Sequence, residues 1–357
     1  MKERVQELRQ AFEEEGLDAL LVTNADNRRY LTGFTGSAGV LLITGEEVLL
    51  ATDFRYYGQV GRQAPGVELV RVEDSTPSAL GPCIDELGVE VLGFEGHAMT
   101  VKDYERWRKG SPHVEWVSTS DLVEELRMTK DAEELKLIEE AVRIADEAME
   151  HVMGWIHPGL TEREVAWELE VYMRTHGAEA LSFTTIVASG PNSAIPHATT
   201  TERVIGCGEP IVIDMGARYK GYCSDMTRSF CLGQASEEYL KVWNTVLEAQ
   251  AAAESGIEPG MCGVEADAIA RDLVYEAGYE GKFGHGLGHG VGLAIHEGPR
   301  VSHSSEDILQ EGAVVTVEPG VYIPGWGGVR TEDMVVITAD GCRILTQTPK
   351  ERVIRQV

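Results

Sequence analysis

The chain has 357 residues, 43% hydrophobic and 25% charged, a length that predicts two domains of ordinary size rather than one core. Its 59 acidic against 31 basic side chains leave a formal charge of −28, which excludes a nucleic-acid or anionic-membrane partner as a first expectation, because general repulsion would oppose both. Most of those acids, as in Glu13-Glu14-Glu15 and Glu133-Glu134, read as solvated helix faces and name no substrate. In chain order, residues 2–15 predict a charged helix, with strands near Asp18–Thr23, Gly39–Thr44 and Val48–Thr52 and further helix–strand units to Trp116. Thr44-Gly45-Glu46-Glu47 reads as a hairpin turn, so the sheet of this α/β domain is expected to be mixed. The glycines of Thr32–Gly39 have the wrong spacing for a dinucleotide or P-loop fingerprint and predict a loop.

A domain boundary is expected near Ser120–Thr129, dividing residues 1–125 from 126–357. Beyond it, Leu135, Ile138, Val142, Ala145, Met149 and Val152 recur at spacings of three and four and predict a long amphipathic helix. Pro158-Gly159 breaks that pattern, and Thr161-Glu162-Arg163-Glu164 fits a capping box opening another helix to about His176. Strands follow, with helices at about 236–255 and 263–277 between two strand pairs, which predicts an α+β second domain. The six cysteines contain no Cys-x-x-Cys pair, and a chain this size needs no disulfide staples, so reduced, buried thiols are expected. The charged N-terminus lacks the apolar core of a signal peptide and no run of the ~18 apolar residues of a membrane span occurs, which predicts a cytoplasmic protein without a membrane partner.

The chemistry concentrates in the second half. Asp214 follows Ile211-Val212-Ile213 and Glu318 follows Val314-Val315-Thr316-Val317, and unpaired charge buried in such runs costs several kcal/mol. Asp214, Asp225, Glu318 and Glu332 together carry four negative charges, which two divalent cations would neutralise, with His289 as the nitrogen ligand. A two-metal hydrolase is therefore the first expectation. A hairpin centred between Tyr219 and Lys220 would set Asp214 opposite Asp225, with Cβ atoms about 5 Å apart, although Tyr-Lys is a poor tight-turn pair and Gly221 is the better source of positive φ. Glu318 and Glu332 are likewise equidistant from Gly325, in a loop from Pro319 to Val329 between strands at Val314–Val317 and Met334–Ile337. In Phe283–Glu297, alternating glycines allow close backbone approach to a ligand while His285, His289 and His296 project from it, and His197 joins this inner set. His97, His113, His151, His157, His176 and His303 read as ordinary surface or core histidines.

These residues resemble the pita-bread metallopeptidases, which include methionine aminopeptidase, aminopeptidase P and prolidase. The resemblance runs through the GPNSAIPHA, VIDMGARYKGYCSDMTRSF, GHGLGHGVGLAIHEGPR, EPGVY and GVRTEDMV segments, with Asp214, Asp225, His289, Glu318 and Glu332 in the family's ligand order. The first domain resembles the creatinase type in NRRYLTGFTGSAG and ATDFRYY, which favours the proline-directed branch. A departure is Thr199-Thr200-Thr201, where relatives often carry a proline, and it puts the local loop shape in question.

The resemblance implies a creatinase-type α/β N-terminal domain and an α+β pita-bread catalytic domain holding two divalent ions, Mn, Co or Zn. It implies that Asp214 and Asp225 hold one ion, His289 and Glu318 the other, and Glu332 both, with a hydroxide between the ions as nucleophile. Glu318 would also carry the proton to the leaving nitrogen, and His197 and His296 would be catalytic residues contacting substrate and tetrahedral intermediate. His285, Arg300 and Arg330 are expected in substrate binding, Arg300 as a clamp on a dipeptide's carboxylate and Arg330, two residues before Glu332 on the same strand face, also beside a metal carboxylate. The implied substrate is a small peptide with proline after its first residue, cleaved before the proline by an Xaa-Pro dipeptidase. The alternative is an Xaa-Pro aminopeptidase acting on longer peptides, and a remoter one is a non-catalytic or creatinase-like relative. The family commonly dimerises, so a homodimer is expected.

Overall fold

The computed structural model describes residues 2–355. By its internal contacts the chain divides into two compact units, with the division after Arg127.

In the first unit, helix α1 (Lys2–Glu14) buries Val5, Leu8 and Phe12, which its three- and four-residue spacing puts on one face. Strands β1 (Ala19–Val22), β2 (Val40–Thr44), β3 (Val48–Thr52), β4 (Glu68–Arg71), β5 (Val91–Glu95) and β6 (Glu115–Thr119) form one sheet in the order β4-β3-β2-β1-β5-β6. The sheet is mixed as expected: β1–β2 and β2–β3 are antiparallel and the other pairs parallel. The Thr44–Glu47 turn closes β2 on β3, with Thr44 N–H donating to Glu47 O at 3.0 Å. Helices α2 (Ala25–Thr32), α3 (Tyr57–Gln63), α4 (Thr76–Glu86), α5 (Val101–Gly110) and α6 (Leu122–Met128) complete the alternation. Ala19, Leu21, Leu42 and Leu92 from the sheet pack with Leu80, Ile84 and Trp107 from helices.

The second unit opens with α7 (Ala132–Trp155), started by a capping box between Asp131 and Glu134. Ile138, Val142, Ala145, Met149 and Val152 are buried as their spacing predicts, whereas Leu135 is only half-buried. Glu134 is buried in its stead, because its carboxylate accepts the Tyr222 hydroxyl at 2.8 Å. Helix α8 (Glu162–Thr175) carries the predicted Thr161–Glu164 capping box. Strands β7 (Ala180–Leu181), β8 (Ile186–Ser189), β9 (Ile211–Met215), β10 (Ala217–Tyr219), β11 (Tyr222–Cys223) and β12 (Met226–Leu232) follow, then α9 (Glu237–Gly256) and α10 (Gly263–Val274).

The remaining strands are β13 (Gly288–Gly290), β14 (Glu297–Val301), β15 (Val314–Val317), β16 (Gly320–Ile323), β17 (Gly327–Arg330), β18 (Asp333–Thr338), β19 (Gly341–Ile344) and β20 (Val353–Ile354). They give sheets ordered β20-β12-β9-β8 and β14-β13-β15-β18-β19, with smaller β11-β10-β7 and β16-β17 ladders. One core packs α7 and α8 on β9 and β12 through Met149, Leu169, Ile213 and Phe230; the other packs α9 and α10 on β15 and β18 through Val246, Ala270, Val315 and Val335. The carboxylates of interest lie on the strands of these two sheets and at their ends.

None of the six cysteines is in a disulfide, but only Cys223 and Cys231 are buried and Cys207 is exposed, which corrects the expectation of buried thiols throughout. No helix among the described residues is long and apolar enough to cross a membrane.

Candidate metal centre

The first hairpin turns one residue later than its sequence suggests. Arg218 pairs with Cys223 and Tyr219 with Tyr222, so Lys220 and Gly221 form the turn, at φ 43° and 86°. Two positive φ values at the centre of a two-residue loop match the right-handed twist of the strands it joins. That ladder continues into Met215↔Met226 and Asp214↔Thr227. Asp214 therefore faces Thr227, and Asp225, two residues earlier on the same face, is its diagonal neighbour rather than its direct partner.

The second hairpin keeps the symmetry about Gly325. Val317 pairs with Asp333 on one side and Gly320 with Arg330 on the other, which brackets Glu318 and Glu332 at the join between two ladders. The expected loop from Pro319 to Val329 is itself mostly strand, with β16 paired to β17 from Gly320↔Arg330 to Ile323↔Gly327. His289 enters on β13, whose Gly290 pairs with Val315 of β15. A Cβ at Gly288 would lie 2.0 Å from Thr316 O, so only glycine lets β13 approach β15 this closely beside the histidine.

One cavity of about 460 Å³ is lined by Asp214, Asp225, His289, Glu318 and Glu332 together with His197, His285, His296 and Arg330. Phe183, Ile186 and Ile295 supply apolar wall. Of the sequence-derived set only Arg300 is absent from this lining: its side chain is exposed, and its N–H donates to Asp307 Oδ2 at 2.8 Å. His197 and His296 are exposed at the rim, whereas Asp225, Glu332 and Arg330 are buried.

Several contacts position these groups. Arg330 donates to Asp214 Oδ2 at 2.5 Å, Thr227 Oγ1 at 3.0 Å, Pro196 O at 3.1 Å and the Tyr322 hydroxyl at 2.8 Å. Burial alone would weaken its charge, but the surrounding Tyr322, Asp214, Glu318 and Glu332 outweigh that and hold the guanidinium well above its ordinary pKa. Thr227 Oγ1 donates to Glu332 Oε2 at 2.6 Å, and Thr316 Oγ1 donates to Glu318 Oε1 at 3.1 Å. Tyr322 reaches His285 Nε2 at 3.0 Å, while His285 Nδ1–H is engaged by Gly286 O at 2.8 Å. Burial pushes the Tyr322 phenol up to about 12. Sequence reasoning missed Thr227, Thr316 and Tyr322. Strand alternation puts Thr227 on the face of Asp225 and Thr316 on the face of Glu318, and that periodicity was the available signal.

The donor set fits divalent cations. One ligand atom each from Asp225, His289 and Glu332 lies within 4.8 Å of the other two. His289 Nδ1–H is taken by Gly290 O at 3.1 Å, which leaves Nε2 as a bare lone pair 3.6 Å from Asp225 Oδ2 and 3.4 Å from Glu318 Oε1. Burial holds that imidazole below its ordinary pKa, so the neutral form dominates and acceptor faces acceptor. Asp214 Oδ1 is buried with no hydrogen-bond partner among the described residues. Burial, reinforced by Glu332, Asp214 and Glu318, drives Asp225 well above the carboxylate range, and burial with Glu318 and Asp214 does the same to Glu332. Burial also raises Glu318. One guanidinium cannot neutralise four carboxylates, and cations seated among them would remove the conflict.

Comparison with known proteins agrees with this chemistry. Metallopeptidase family M24 matches residues 136–339, and the Creatinase/Prolidase N-terminal domain matches residues 4–129. An Xaa-Pro dipeptidase of Pyrococcus furiosus is 38% identical over 357 residues, covering 98% of this chain and 99% of its own. The solved structure of an Xaa-Pro dipeptidase from Bacillus anthracis is similar with a TM-score of 0.97 at 45% identity over 99% of both chains. An X-Pro aminopeptidase from Thermotoga maritima gives a TM-score of 0.90 at 37% identity, covering 97% of this chain and 100% of its own. The M24 match spans all five groups from Asp214 to Glu332, and the chain belongs to this family: it is a hydrolase of the divalent-metal-dependent M24 peptidases, with their pita-bread catalytic fold following a creatinase/prolidase-type N-terminal domain in the sequence.

Proposed function

We propose that the protein is an Xaa-Pro dipeptidase with two divalent ions, Mn, Co or Zn, hydrolysing the bond before proline. In this reading residues 1–125 form the creatinase-type domain and 126–357 the catalytic one. Asp214, Asp225, His289, Glu318 and Glu332 would hold the ions. The observation that carries the reading is the convergence of one ligand atom each from Asp225, His289 and Glu332 within 4.8 Å inside a cavity of small-ligand size. When bound, the ions supply Lewis-acid polarisation of the scissile carbonyl and a water acidic enough to attack at neutral pH.

The chain's own residues do the rest. An Xaa-Pro bond is a tertiary amide without N–H, so the departing secondary amine needs a delivered proton. Glu318, oriented by Thr316 and raised by burial, is the proton carrier. His197 and His296 at the rim donate hydrogen bonds to the substrate carbonyl as charge develops on it. His285 is locked in one tautomer between Gly286 O and Tyr322, and Arg330 holds Asp214 while completing the wall beside the substrate. Phe183, Ile186 and Ile295 offer apolar surface to the proline ring. The family resemblance adds a homodimeric state, and a cytoplasmic location is part of the same reading.

The second reading, an Xaa-Pro aminopeptidase on longer peptides, is favoured by one observation: Arg300 is exposed and outside the cavity lining, so nothing in that wall requires the substrate to end at proline. Rates on Ala-Pro and Ala-Pro-Ala after chelation and re-addition of single metals test both. Preference for Ala-Pro, abolished by chelation and lost selectively in Arg300→Ala, is expected of the dipeptidase. Equal loss on both substrates would remove the clamp role, and hydrolysis that survives chelation would remove the metal-dependent reading.

A further inference from the structure

Glu162, the first residue of α8, is 0% exposed. A carboxylate stripped of water is stable only as the acceptor of many donors. Its Oε1 accepts from Ser189 N–H at 2.7 Å and Ser189 Oγ at 2.9 Å, and its Oε2 accepts from Thr201 N–H at 3.0 Å and Thr201 Oγ1 at 2.6 Å. Asn192 Nδ2 lies across both oxygens at 3.2 and 3.0 Å. These donors belong to one segment, residues 189–201, gripped at its two ends. His197 sits between the grips and is itself exposed. The same segment is tied on its other side to β17, where Gly328 N–H donates to Ser193 Oγ at 2.9 Å and Arg330 donates to Pro196 O at 3.1 Å.

We propose that Glu162 is a positioning residue for His197: it fixes the length and path of the 189–201 segment so that the imidazole is presented at the mouth of the metal cavity. Glu162 is not among the residues that line that cavity, so its effect passes through the segment. The threonine run that departs from the family pattern is part of the device, because Thr201 supplies two of the donors and Thr200 Oγ1 accepts Val187 N–H at 2.9 Å. A misplacement of about 1 Å in a group that acts on the substrate costs roughly 10²-fold in rate. The proposal rests on the reading of His197 as a substrate-contacting group.

The test is a double-mutant cycle on the metal-loaded protein, comparing wild type, Glu162→Gln, His197→Ala and the double variant on Ala-Pro, with metal content and thermal melting measured on each. Glu162→Gln puts an NH2 group into a ring of donors, and the expected result is a fall in kcat of roughly 10- to 100-fold with metal content unchanged. In the His197→Ala background the same change should alter kcat by less than about 2-fold, since coupled residues fail to add. Multiplicative losses would overturn the proposal, because Glu162 would then act on something other than His197. An unchanged rate in His197→Ala alone would instead overturn the reading of His197, and the proposal with it. Should Glu162→Gln fail to fold, Thr201→Val deletes one donor and takes its place in the cycle, with the same two outcomes.

Discussion

The two units each bury carboxylates, and they do so in opposite ways. In the first unit Glu95, 3% exposed, accepts from Thr23 N–H at 2.6 Å, Thr23 Oγ1 at 3.1 Å, Asn24 N–H at 2.7 Å and Asn27 Nδ2 at 2.6 Å. Its charge is consumed by local donors and pins the start of α2 to the end of β5. In the second unit Asp225 and Glu332 are as deeply buried, but they face Asp214, Glu318 and the bare nitrogen of His289, and burial, reinforced by the neighbouring carboxylates, drives their pKa values up. A saturated buried carboxylate is an architectural element, whereas a cluster of mutually repelling ones has the donor chemistry that a cation would satisfy.

The comparison breaks most visibly at Asp225. Asp225→Asn keeps the shape and removes the charge of a proposed ligand, so kcat/KM on Ala-Pro should fall by roughly 10³-fold, the scale set by several kcal/mol of metal-supplied stabilisation. Bound metal by elemental analysis should fall with it. In chelator the variant should melt above chelated wild type, because the cost of burying a charge there, and its repulsion from Glu332 and Asp214, are relieved. A lower melting point would show that the cluster is balanced without cations.

Glu95→Gln is the converse experiment: it leaves donors facing an NH2 group and should cost roughly 1–3 kcal/mol in denaturant unfolding with metal content intact. Loss of metal from that variant would erase the distinction between the two regions.

Glu254 of α9 is an intermediate case. Lys350 Nζ lies 3.2 Å from its Oε1 but only 2.6 Å from Asp333 Oδ2, and burial outweighs the attraction, pushing the Glu254 carboxyl up to about 7. The folded state thus holds this proton more tightly than the unfolded chain. Its contribution is present below the unfolded value near pH 4.3 and is lost as pH rises through about 7. The stability of wild type should gain on the order of 1–2 kcal/mol relative to the non-titrating Glu254→Gln between about pH 8 and about pH 5. A pH-independent difference would mean that Lys350 already satisfies the charge.

Legibility in the sequence followed how local each decision was. The Thr161–Glu164 capping box, the apolar face of α7 and the β2–β3 turn depend on residues within one or two turns of chain, and they could be read directly. The Glu318/Glu332 hairpin was legible because its symmetry about Gly325 follows from residue counting. The Asp214 hairpin was not. Its register turns on Lys220 adopting φ 43°, a left-handed conformation that a lysine rarely takes and that only the ladder on either side enforces. The same holds for Leu135, displaced from the buried face of α7 because Glu134 finds a hydroxyl 88 residues away.

By itself the sequence determined the two-part organisation, the element types and the donor chemistry, because hydrophobic period, capping residues and the cost of isolated buried charge are properties of short stretches. Tertiary structure decided how those donors meet. Arg330 reaches Asp214 across 116 residues and Thr227 across 103, while Glu162 grips a segment up to 39 residues ahead of it. Arg300 lies outside the cavity although it follows His296 by four positions. Such outcomes depend on the packing of whole sheets against their helices, and no local pattern encodes the distance between residues that only the folded chain brings together.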